Sequence, residues 1–177
     1  MEVLRYSTIE TRFGTVWFAA TPNGLSFLLL RYFNERRVAQ ELRKARGTKM
    51  LRDDRSLRRF AGQLTRYFEG ERVPFDFELD LSRGTKFEQA IWRIVRKIPY
   101  GTLVPYKKIA REYGNTLCAR AVGNALGANP IPIVIPCHRV IRADNSLGGF
   151  SGGVRWKKTL IALELGQKNI DFEDLRA

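Results

Sequence analysis

Apolar residues recur at two different spacings in the first half of the chain, and together these spacings predict an α/β unit. In TVWFAATPNGLSFLLLRY, two apolar runs lie on either side of Pro22-Asn23-Gly24, which is typical of a β-hairpin turn. A basic helix is expected from about Glu35 to Ala45. A second helix is predicted before Gly70, where apolar residues share one face: Leu57, Phe60, Ala61, Leu64 and Phe68. Both helices should pack against the hairpin sheet.

The second half of the chain has a different pattern, which predicts a second domain. The stretch 69–84, EGERVPFDFELDLSRG, contains a proline and alternating charges and is expected to be a linker. From Thr85 the apolar residues follow a helical stripe that ends at Pro99-Tyr100-Gly101: Phe87, Ile91, Ile94, Val95 and Ile98. We therefore expect an N-terminal α/β domain over residues 1–78 and a mostly helical domain over residues 79–177.

A pair of short helices follows this stripe. PYKKIAREYG predicts the first helix, NTL a turn and CARAVGNALGAN the second helix, and helices joined so tightly form a helix-turn-helix. On the second helix Cys118, Val122 and Leu126 share a stripe that should be buried, which makes Cys118 a structural thiol. Arg120 lies about 200° around the helix from Cys118 and should point away from the core, together with Asn124.

A third stripe of the same helix carries almost no side chain. It consists of Ala119, Gly123 and Gly127. Such a stripe lets a helix approach another surface closely, and a DNA minor groove is only ~6 Å wide. Close packing against another helix is the alternative, since many helix-turn-helix pairs do not contact DNA.

Composition adds a partner class to this picture. Apolar residues make up 44% of the 177 residues, which is enough for a core, and 31 Lys and Arg against 18 Asp and Glu give a net charge of +13. An excess of this size favours a polyanionic partner, with nucleic acid first. Charge that only solubilises the surface, or that reflects growth at high temperature, is the alternative.

The same composition argues against membranes and metals. No apolar run approaches the length of a membrane span, and MEVLRYSTIE lacks the apolar segment of a signal peptide, so a cytoplasmic protein is expected. Two cysteines and one histidine cannot supply a zinc site of the usual four-ligand Cys/His kind. We expect two free thiols, no metal and no cofactor.

The chain's only histidine follows one of its two cysteines in IPIVIPCHRVIR, residues 131–142. Three of the seven prolines lie close before or within this stretch, so it should be a buried extended segment that fixes the position of Cys137. The alternative is an edge strand in which Cys137 is only a small hydrophobic residue.

A nucleophilic role for Cys137 needs a base or a cation. A thiol with a pKa of about 8.5 is only a few per cent thiolate at neutral pH, and His138 and Arg139 are the neighbouring candidates. In an extended chain adjacent residues face opposite sides, so His138 needs a chain turn or a bridging water. Glu164, in the helix VRWKKTLIALE and two turns beyond Lys157, could orient the imidazole or could be a solvated helix end.

At NPIPIVIPCHRVI the chain resembles the O6-alkylguanine-DNA alkyltransferases, also called methylated-DNA-protein-cysteine methyltransferases, whose signature is Pro-Cys-His-Arg-Val. The resemblance includes GTLVPYKKIA and GGFSGGVRWKKTLIALE and runs from about Thr85 to Gly166. It implies a ribonuclease-H-like α/β N-terminal domain and a mostly α C-terminal domain with the helix-turn-helix. It also implies DNA repair by irreversible, single-turnover transfer of an alkyl group from guanine O6 to cysteine, while activity on O4-alkylthymine stays open.

The resemblance implies a role for each matching residue. Cys137 would accept the alkyl group, His138 would deprotonate it through a water, Glu164 would hold the imidazole and Asn129 would brace the site. Tyr106 would rotate the 3′ phosphate and donate to the departing base, and Arg120 would replace the extruded nucleotide. The implied DNA-binding residues are Arg120, Tyr106, Ala119, Ala121 and Gly123. The implied substrate pocket is formed by Tyr106, Pro132, Cys137, Val140, Phe150, Ser151, Gly152 and Lys157.

The implied partner is double-stranded DNA with an alkylated guanine, bound by a monomer, with cooperativity on DNA left open. The chain departs from the usual family pattern at Phe150, where many relatives have Tyr, and at Pro105, where others often have Ser or Thr. A DNA-binding regulator, a lesion-recognition protein and a cysteine hydrolase are the alternatives. Half of CARAVGNALGAN is Ala or Gly, which disfavours base reading by a regulator, and Cys137 disfavours the lesion-recognition proteins, which lack it.

Overall fold

The first unit of the chain is built on a mixed four-stranded sheet. The computed structural model describes residues 3–30, 38 and 49–166, and the chain divides into two units, Met1–Leu81 and Ser82–Ala177. The strands of the first unit are β1 Val3–Thr11, β2 Gly14–Thr21, β3 Gly24–Leu29 and β4 Lys49–Arg52. Their order is β3-β2-β1-β4, with β1 antiparallel to β2 and parallel to β4.

The predicted hairpin is confirmed as β2 and β3, joined at Pro22-Asn23. Gly24 follows this turn with a φ of +135°, and a Cβ there would lie 2.4 Å from the Glu78 carbonyl oxygen. Only glycine therefore allows the chain after residue 77 to lie beside β3.

Helix α1, Arg58–Phe68, confirms the second predicted helix. Its buried side chains are Phe60, Leu64, Tyr67 and Phe68, and the Phe60 ring packs edge-on against Phe18 of β2 at 5.0 Å. The predicted basic helix from Glu35 to Ala45 lies outside the described residues, apart from Val38. Val38 is buried with Leu4, Trp17 and Ala19.

The segment expected to be a linker is in part a component of the first unit. Leu25 donates to the Glu78 carbonyl at 2.9 Å, and the Asp80 amide donates back to Leu25 at 2.9 Å. Phe77 packs edge-on against Phe60 at 5.1 Å. The linker prediction failed there because charged residues separate the aromatic residues that face α1.

The second unit begins with α2, Lys86–Val95. Thr85 and Glu88 form a reciprocal capping box at its start, which satisfies two backbone amides. Ile91, Val95 and Ile98 are buried as predicted, whereas Phe87 and Ile94 are only half-buried. The buried Trp92, which the predicted stripe omits, donates from Nε1 to the Ala125 carbonyl at 2.8 Å.

The predicted helix-turn-helix is present. Helix α3, Tyr106–Tyr113, ends at Gly114 with a φ of +97°, and α4 comprises Ala119–Gly127. A 3₁₀ turn over Thr116–Cys118 joins them. Val122 and Leu126 are buried as expected, but Cys118 precedes the helix and is only half-buried, so its assignment to the buried stripe was wrong.

After α4 the chain reaches the cysteine through turns. Residues 131–141 are buried as predicted, but the extended conformation is wrong, because the chain turns at Ile133, whose φ is +75°. Strand β5, Val104–Pro105, pairs in parallel with β6, Val140–Ile141, and helix α5, Val154–Glu164, follows. No helix among the described residues is long and apolar enough to cross a membrane.

Candidate active site

Cys137 begins a 3₁₀ turn, Cys137–Arg139, and is 3% exposed. The Asn129 side chain holds it in place: Nδ2 donates to Cys137 Sγ at 3.0 Å and to the Ile135 carbonyl at 2.8 Å. Asn129 Oδ1 accepts from the Ile131 amide at 3.0 Å. One buried amide therefore fixes both the turns before the cysteine and the sulfur itself.

Burial raises the pKa of the Cys137 thiol to about 11, and the Asn129 hydrogen bond and the charge of Lys157 offset this rise only in part. The thiol is protonated at neutral pH, whereas the thiolate is the nucleophile. A reaction at this sulfur consequently needs a base that removes the proton.

The imidazole of His138 is fully buried and paired with Glu164. His138 Nε2 lies 2.7 Å from Glu164 Oε1. Arg139 donates to the same carboxylate from Nε at 2.8 Å and from Nη2 at 2.9 Å, and the Gly101 amide donates to Oε2 at 3.0 Å. Glu164 is therefore a buried carboxylate with fixed orientation, rather than a solvated helix end.

Both partners of this pair favour the deprotonated form. Burial lowers the pKa of His138 below its usual 6.5, although Glu164 opposes this shift. Burial alone would raise the pKa of Glu164, but hydrogen bonds from His138 and Arg139 outweigh burial and hold it well below its usual range. The pair is thus a neutral ring beside a carboxylate. With Nε2 donating to Glu164, Nδ1 carries the lone pair that can accept a proton.

Arg139 does not act as the cation for the thiol, which was one of its expected roles. Its guanidinium bonds to Glu164 and to the Ile98 carbonyl. Lys157 supplies the positive charge that acts on the sulfur. The sequence indicated that Arg139 lies next to the site. Nothing in the sequence indicated that the Arg139 guanidinium bonds to Glu164, which is 25 residues away.

A cleft of about 820 Å³ opens above Cys137. Seven of the residues to which the family resemblance assigns a role line it: Tyr106, Ala119, Arg120, Gly123, Cys137, Phe150 and Ser151. Pro132, Val140, Gly152 and Lys157 are not among the lining residues, although they were expected in the pocket, and neither is Ala121, which is exposed on α4. Asn129, His138 and Glu164 are buried below the surface of the cleft.

The small stripe of α4 forms one wall of this cleft, since Ala119, Gly123 and Gly127 all line it. Tyr106 lies close to this wall, because a Cβ on Gly123 would be 3.8 Å from Tyr106 Cε1. The stripe therefore provides open space beside the sulfur and room for the tyrosine ring. Close helix packing does not account for it.

The opposite wall is the loop 148–151. Gly148 has a φ of +68°, and a Cβ there would lie 3.0 Å from the Tyr106 hydroxyl oxygen. Burial raises the pKa of Tyr106, so the hydroxyl keeps its proton and can donate it. The loop thus approaches the tyrosine hydroxyl as closely as a glycine permits.

Lys157 is buried behind this loop. Its Nζ donates to the carbonyls of Val140 at 2.6 Å and of Leu147, and it lies 5.7 Å from the centroid of the Tyr106 ring. Burial lowers its pKa to about 8. The ammonium therefore connects strand β6 to the loop and sets the local charge without entering the cleft.

Sequence reasoning did not identify several residues of the cleft. Lys107, Arg142 and Ala143 line it, as do Thr116 and Leu126. The signal for Lys107 was its position next to Tyr106, but nothing in the sequence placed Arg142 at the opening. No cluster of metal-ligating side chains occurs within the described ranges 3–30 and 49–166.

Comparison with known proteins gives matches to both units. One family model, described as 6-O-methylguanine DNA methyltransferase, ribonuclease-like domain, matches residues 4–81. A second, described as the DNA binding domain of 6-O-methylguanine DNA methyltransferase, matches residues 86–166. Both the sheet unit and the helical unit are therefore covered.

Relatives extend over nearly the whole chain. A Mycobacterium bovis protein named methylated-DNA–protein-cysteine methyltransferase is 38% identical over 170 residues, covering 96% of this chain and 98% of the relative. A Mycolicibacterium paratuberculosis protein of the same name is 53% identical over 110 residues, covering 60% of this chain and 66% of that protein. The crystal structure of Mycobacterium tuberculosis OGT in complex with DNA has a TM-score of 0.81 and 36% identity, covering 98% of this chain and 99% of that one.

Proposed function

This chain belongs to the 6-O-methylguanine DNA methyltransferase family, and we propose that Cys137 is the residue that accepts the alkyl group. The protein repairs DNA by alkyl transfer, as a methylated-DNA-protein-cysteine methyltransferase, and DNA is its partner. The alternative of a regulator that only binds DNA is not favoured.

One observation carries the assignment of Cys137: it lines an 820 Å³ cleft, the Asn129 side chain donates to its sulfur, and the next residue in the chain, His138, is paired with Glu164. Cys118, the other thiol, is half-buried at the start of α4 and is not among the lining residues. The lesion in the cleft is an O6-alkylated guanine.

The reaction forms one bond and breaks one bond at the alkyl carbon. Cys137 Sγ attacks this carbon as the bond from the carbon to guanine O6 breaks, and guanine leaves with the electron pair. The thiol proton passes to His138, and guanine takes a proton from the Tyr106 hydroxyl. The imidazolium then gives its proton to water, and the Tyr106 phenolate takes one from water, so the net transfer is from the thiol to guanine. The product is a thioether, which water does not hydrolyse, so each protein molecule reacts once.

Proton removal and attack are coupled in this site. The thiol is protonated at rest, and Nδ1 of the neutral His138 is the base, reached through one water. Glu164 stabilises the imidazolium that forms, and Arg139 and Gly101 keep the carboxylate in place. Asn129 donates to the sulfur and so stabilises the negative charge that grows there.

The alkyl carbon of a stacked base cannot reach a buried sulfur, so the nucleotide must leave the duplex. Helix α4 enters the minor groove, with Ala119, Ala121 and Gly123 close to the backbone. Arg120 is exposed on this helix and lines the cleft. Its side chain enters the duplex and takes the place that the extruded nucleotide has left. Phe150 stacks on the extruded base, and Ser151 lies near O6.

DNA binding and alkyl transfer both reside in residues 79–177, and the protein acts as a monomer. Each step needs only groups that this part of one chain supplies, from the exposed α4 to the buried sulfur. Both cysteines are free thiols, in keeping with a cytoplasmic location.

The two thiols provide a matched test. Cys137→Ala should abolish label uptake from an oligonucleotide with a radioactive O6-methylguanine and should keep duplex binding, because the sulfur is buried below the DNA-facing surface. Cys118→Ala should keep both activities. Label uptake by Cys137→Ala, or its loss only in Cys118→Ala, would remove the assignment.

A further inference from the structure

Arg142 is a cation at the cleft that the proposed chemistry does not use. Three basic residues line the cleft, Lys107, Arg120 and Arg142, and no acidic residue is among its described lining residues. Arg120 already has a role in replacing the nucleotide. Arg142 lies on a different element, directly after β6 and five residues beyond Cys137.

The backbone of Arg142 is fixed on both sides. Its amide donates to the Ser146 carbonyl at 2.9 Å, and its carbonyl accepts from the Asn145 amide at 3.0 Å. Asn145 closes this turn with a φ of +65°, a conformation that Asn tolerates better than most residues. The guanidinium therefore extends from a rigid base, so less conformational freedom is lost when it binds an anion.

The guanidinium is exposed and available. Among the described residues it makes no hydrogen bond and no ion pair within 4.0 Å. The acidic residue nearest in sequence is Asp144, whose Oδ1 accepts from the Ser146 amide at 3.0 Å and from Ser146 Oγ at 2.7 Å. The carboxylate is thus held within the turn, and the Arg142 charge acts on it without an ion pair between them.

The charge of Arg142 nevertheless reaches the cleft interior. It lowers the pKa of Tyr106, against the larger effect of burial, and it contributes to the lowered pKa of Lys157. Arg142 also lines the cleft, where the DNA strand would enter.

We infer that Arg142 binds a phosphate of the DNA strand that carries the extruded nucleotide. The planar fork of arginine matches two phosphate oxygens, and phosphate is the anion that DNA presents at the opening of the cleft. The guanine itself is uncharged at neutral pH and offers no comparable partner. This inference rests on the proposed function, because it takes the extruded base to lie above Cys137.

The test compares Arg142→Gln with Arg93→Gln, which removes the same charge from the exposed face of α2. Each variant reacts with an O6-methylguanine duplex and, separately, with free O6-benzylguanine, which has no phosphate. Duplex affinity is measured at several salt concentrations in a Cys137→Ala background. Arg142→Lys keeps the charge and removes only the fork.

Arg142→Gln should slow the duplex reaction by about tenfold and change the reaction with the free base by less than twofold. The slope of log affinity against log salt should fall by about 0.9 for duplex DNA, the value for one lost phosphate contact. Arg142→Lys should keep most of the slope, and Arg93→Gln should match wild type.

An equal loss of rate with the duplex and with the free base would indicate that Arg142 contacts the base and would overturn the phosphate contact. An unchanged salt slope would also overturn the phosphate contact. Should wild-type protein fail to react with either substrate, the proposed function fails instead. The affinity measurements, which need no reaction, would still decide the contact.

Discussion

The Cys137 thiol and the His138 imidazole are adjacent in the sequence, and the 3₁₀ turn at Cys137–Arg139 removes the alternation that would separate them in a strand. Burial keeps both groups neutral at rest, since it raises the pKa of Cys137 to about 11 and lowers that of His138. A neutral thiol beside a neutral base is stable until a substrate is present. In the proposed mechanism, the reactivity of the site therefore depends on the imidazole.

This arrangement predicts the acid limb of the pH profile. The pKa of His138 in the folded protein lies below 6.5. Above its pKa the ring is neutral and can accept the thiol proton, and below its pKa the ring is protonated and cannot act as a base. The rate constant with free O6-benzylguanine should be level between about pH 7 and pH 8. On the acid side the rate constant should fall by about tenfold per pH unit once the ring is protonated, with the midpoint of the fall below pH 6.5.

Free O6-benzylguanine is the right probe for this profile because DNA binding does not contribute. An acid limb with its midpoint above pH 6.5 would contradict His138 as the base, because burial lowers the pKa of this ring. A rate that rises tenfold per unit from pH 7 to pH 8 would indicate that hydroxide, and not the imidazole, deprotonates the thiol.

Helix α4 has three faces with different functions. Val122 and Leu126 are buried, the stripe of small residues Ala119, Gly123 and Gly127 lines the cleft, and Arg120 is exposed.

Arg120→Ala should slow the reaction with a duplex by at least about tenfold, because only in a duplex must an extruded nucleotide be replaced. The reaction with free O6-benzylguanine should stay within about twofold of the wild-type rate. Single-turnover rates with the two substrates measure this difference. Equal losses would contradict base extrusion by this residue.

The loop 148–151 provides a second test at the level of an element. Gly148→Ala should destabilise the protein by about 1–2 kcal/mol, because φ is +68° and the methyl group would lie 3.0 Å from the Tyr106 hydroxyl. It should also slow the reaction with the free base by displacing Tyr106. Urea unfolding and single-turnover rates measure the two effects.

Gly149→Ala is the matched control, because no atom lies within 4 Å of a Cβ at that position. Its stability should change by less than about 0.5 kcal/mol. Equal effects of the two substitutions would mean that the close approach of Gly148 to Tyr106 has no role.

Elements in which apolar residues recur at a regular spacing could be predicted from the sequence. The turns around Cys137 could not. Helix α2 and the hairpin follow directly from apolar spacing and a turn motif. The segment after Asn129 contains so many prolines and β-branched residues that it indicates an extended chain. Its turns depend on the Asn129 side chain, which bonds to Ile131, Ile135 and Cys137. Such a network is tertiary and leaves no periodic signal.

At the scale of the whole molecule, the excess charge is concentrated in one unit. Residues 82–177 contain 16 of the 31 basic residues but only 7 of the 18 acidic ones. This unit also contains the helix-turn-helix and the cleft. The net charge of +13 alone is compatible with a surface that is only solubilised and with one that binds DNA. The basic residues that line the cleft favour the DNA-binding surface, because they place positive charge at the candidate site.

In the proposed reaction the Cys137 sulfur takes up one alkyl group and never releases it. The intact mass of the protein, measured after incubation with an equimolar O6-methylguanine duplex and followed by peptide mapping, tests this property. The protein should gain one methyl group per molecule, located on the peptide that contains Cys137, and should repair no further lesion when fresh duplex is added. An unchanged mass, a methyl group on Cys118 or repair of several duplexes per protein molecule would rule out transfer to Cys137.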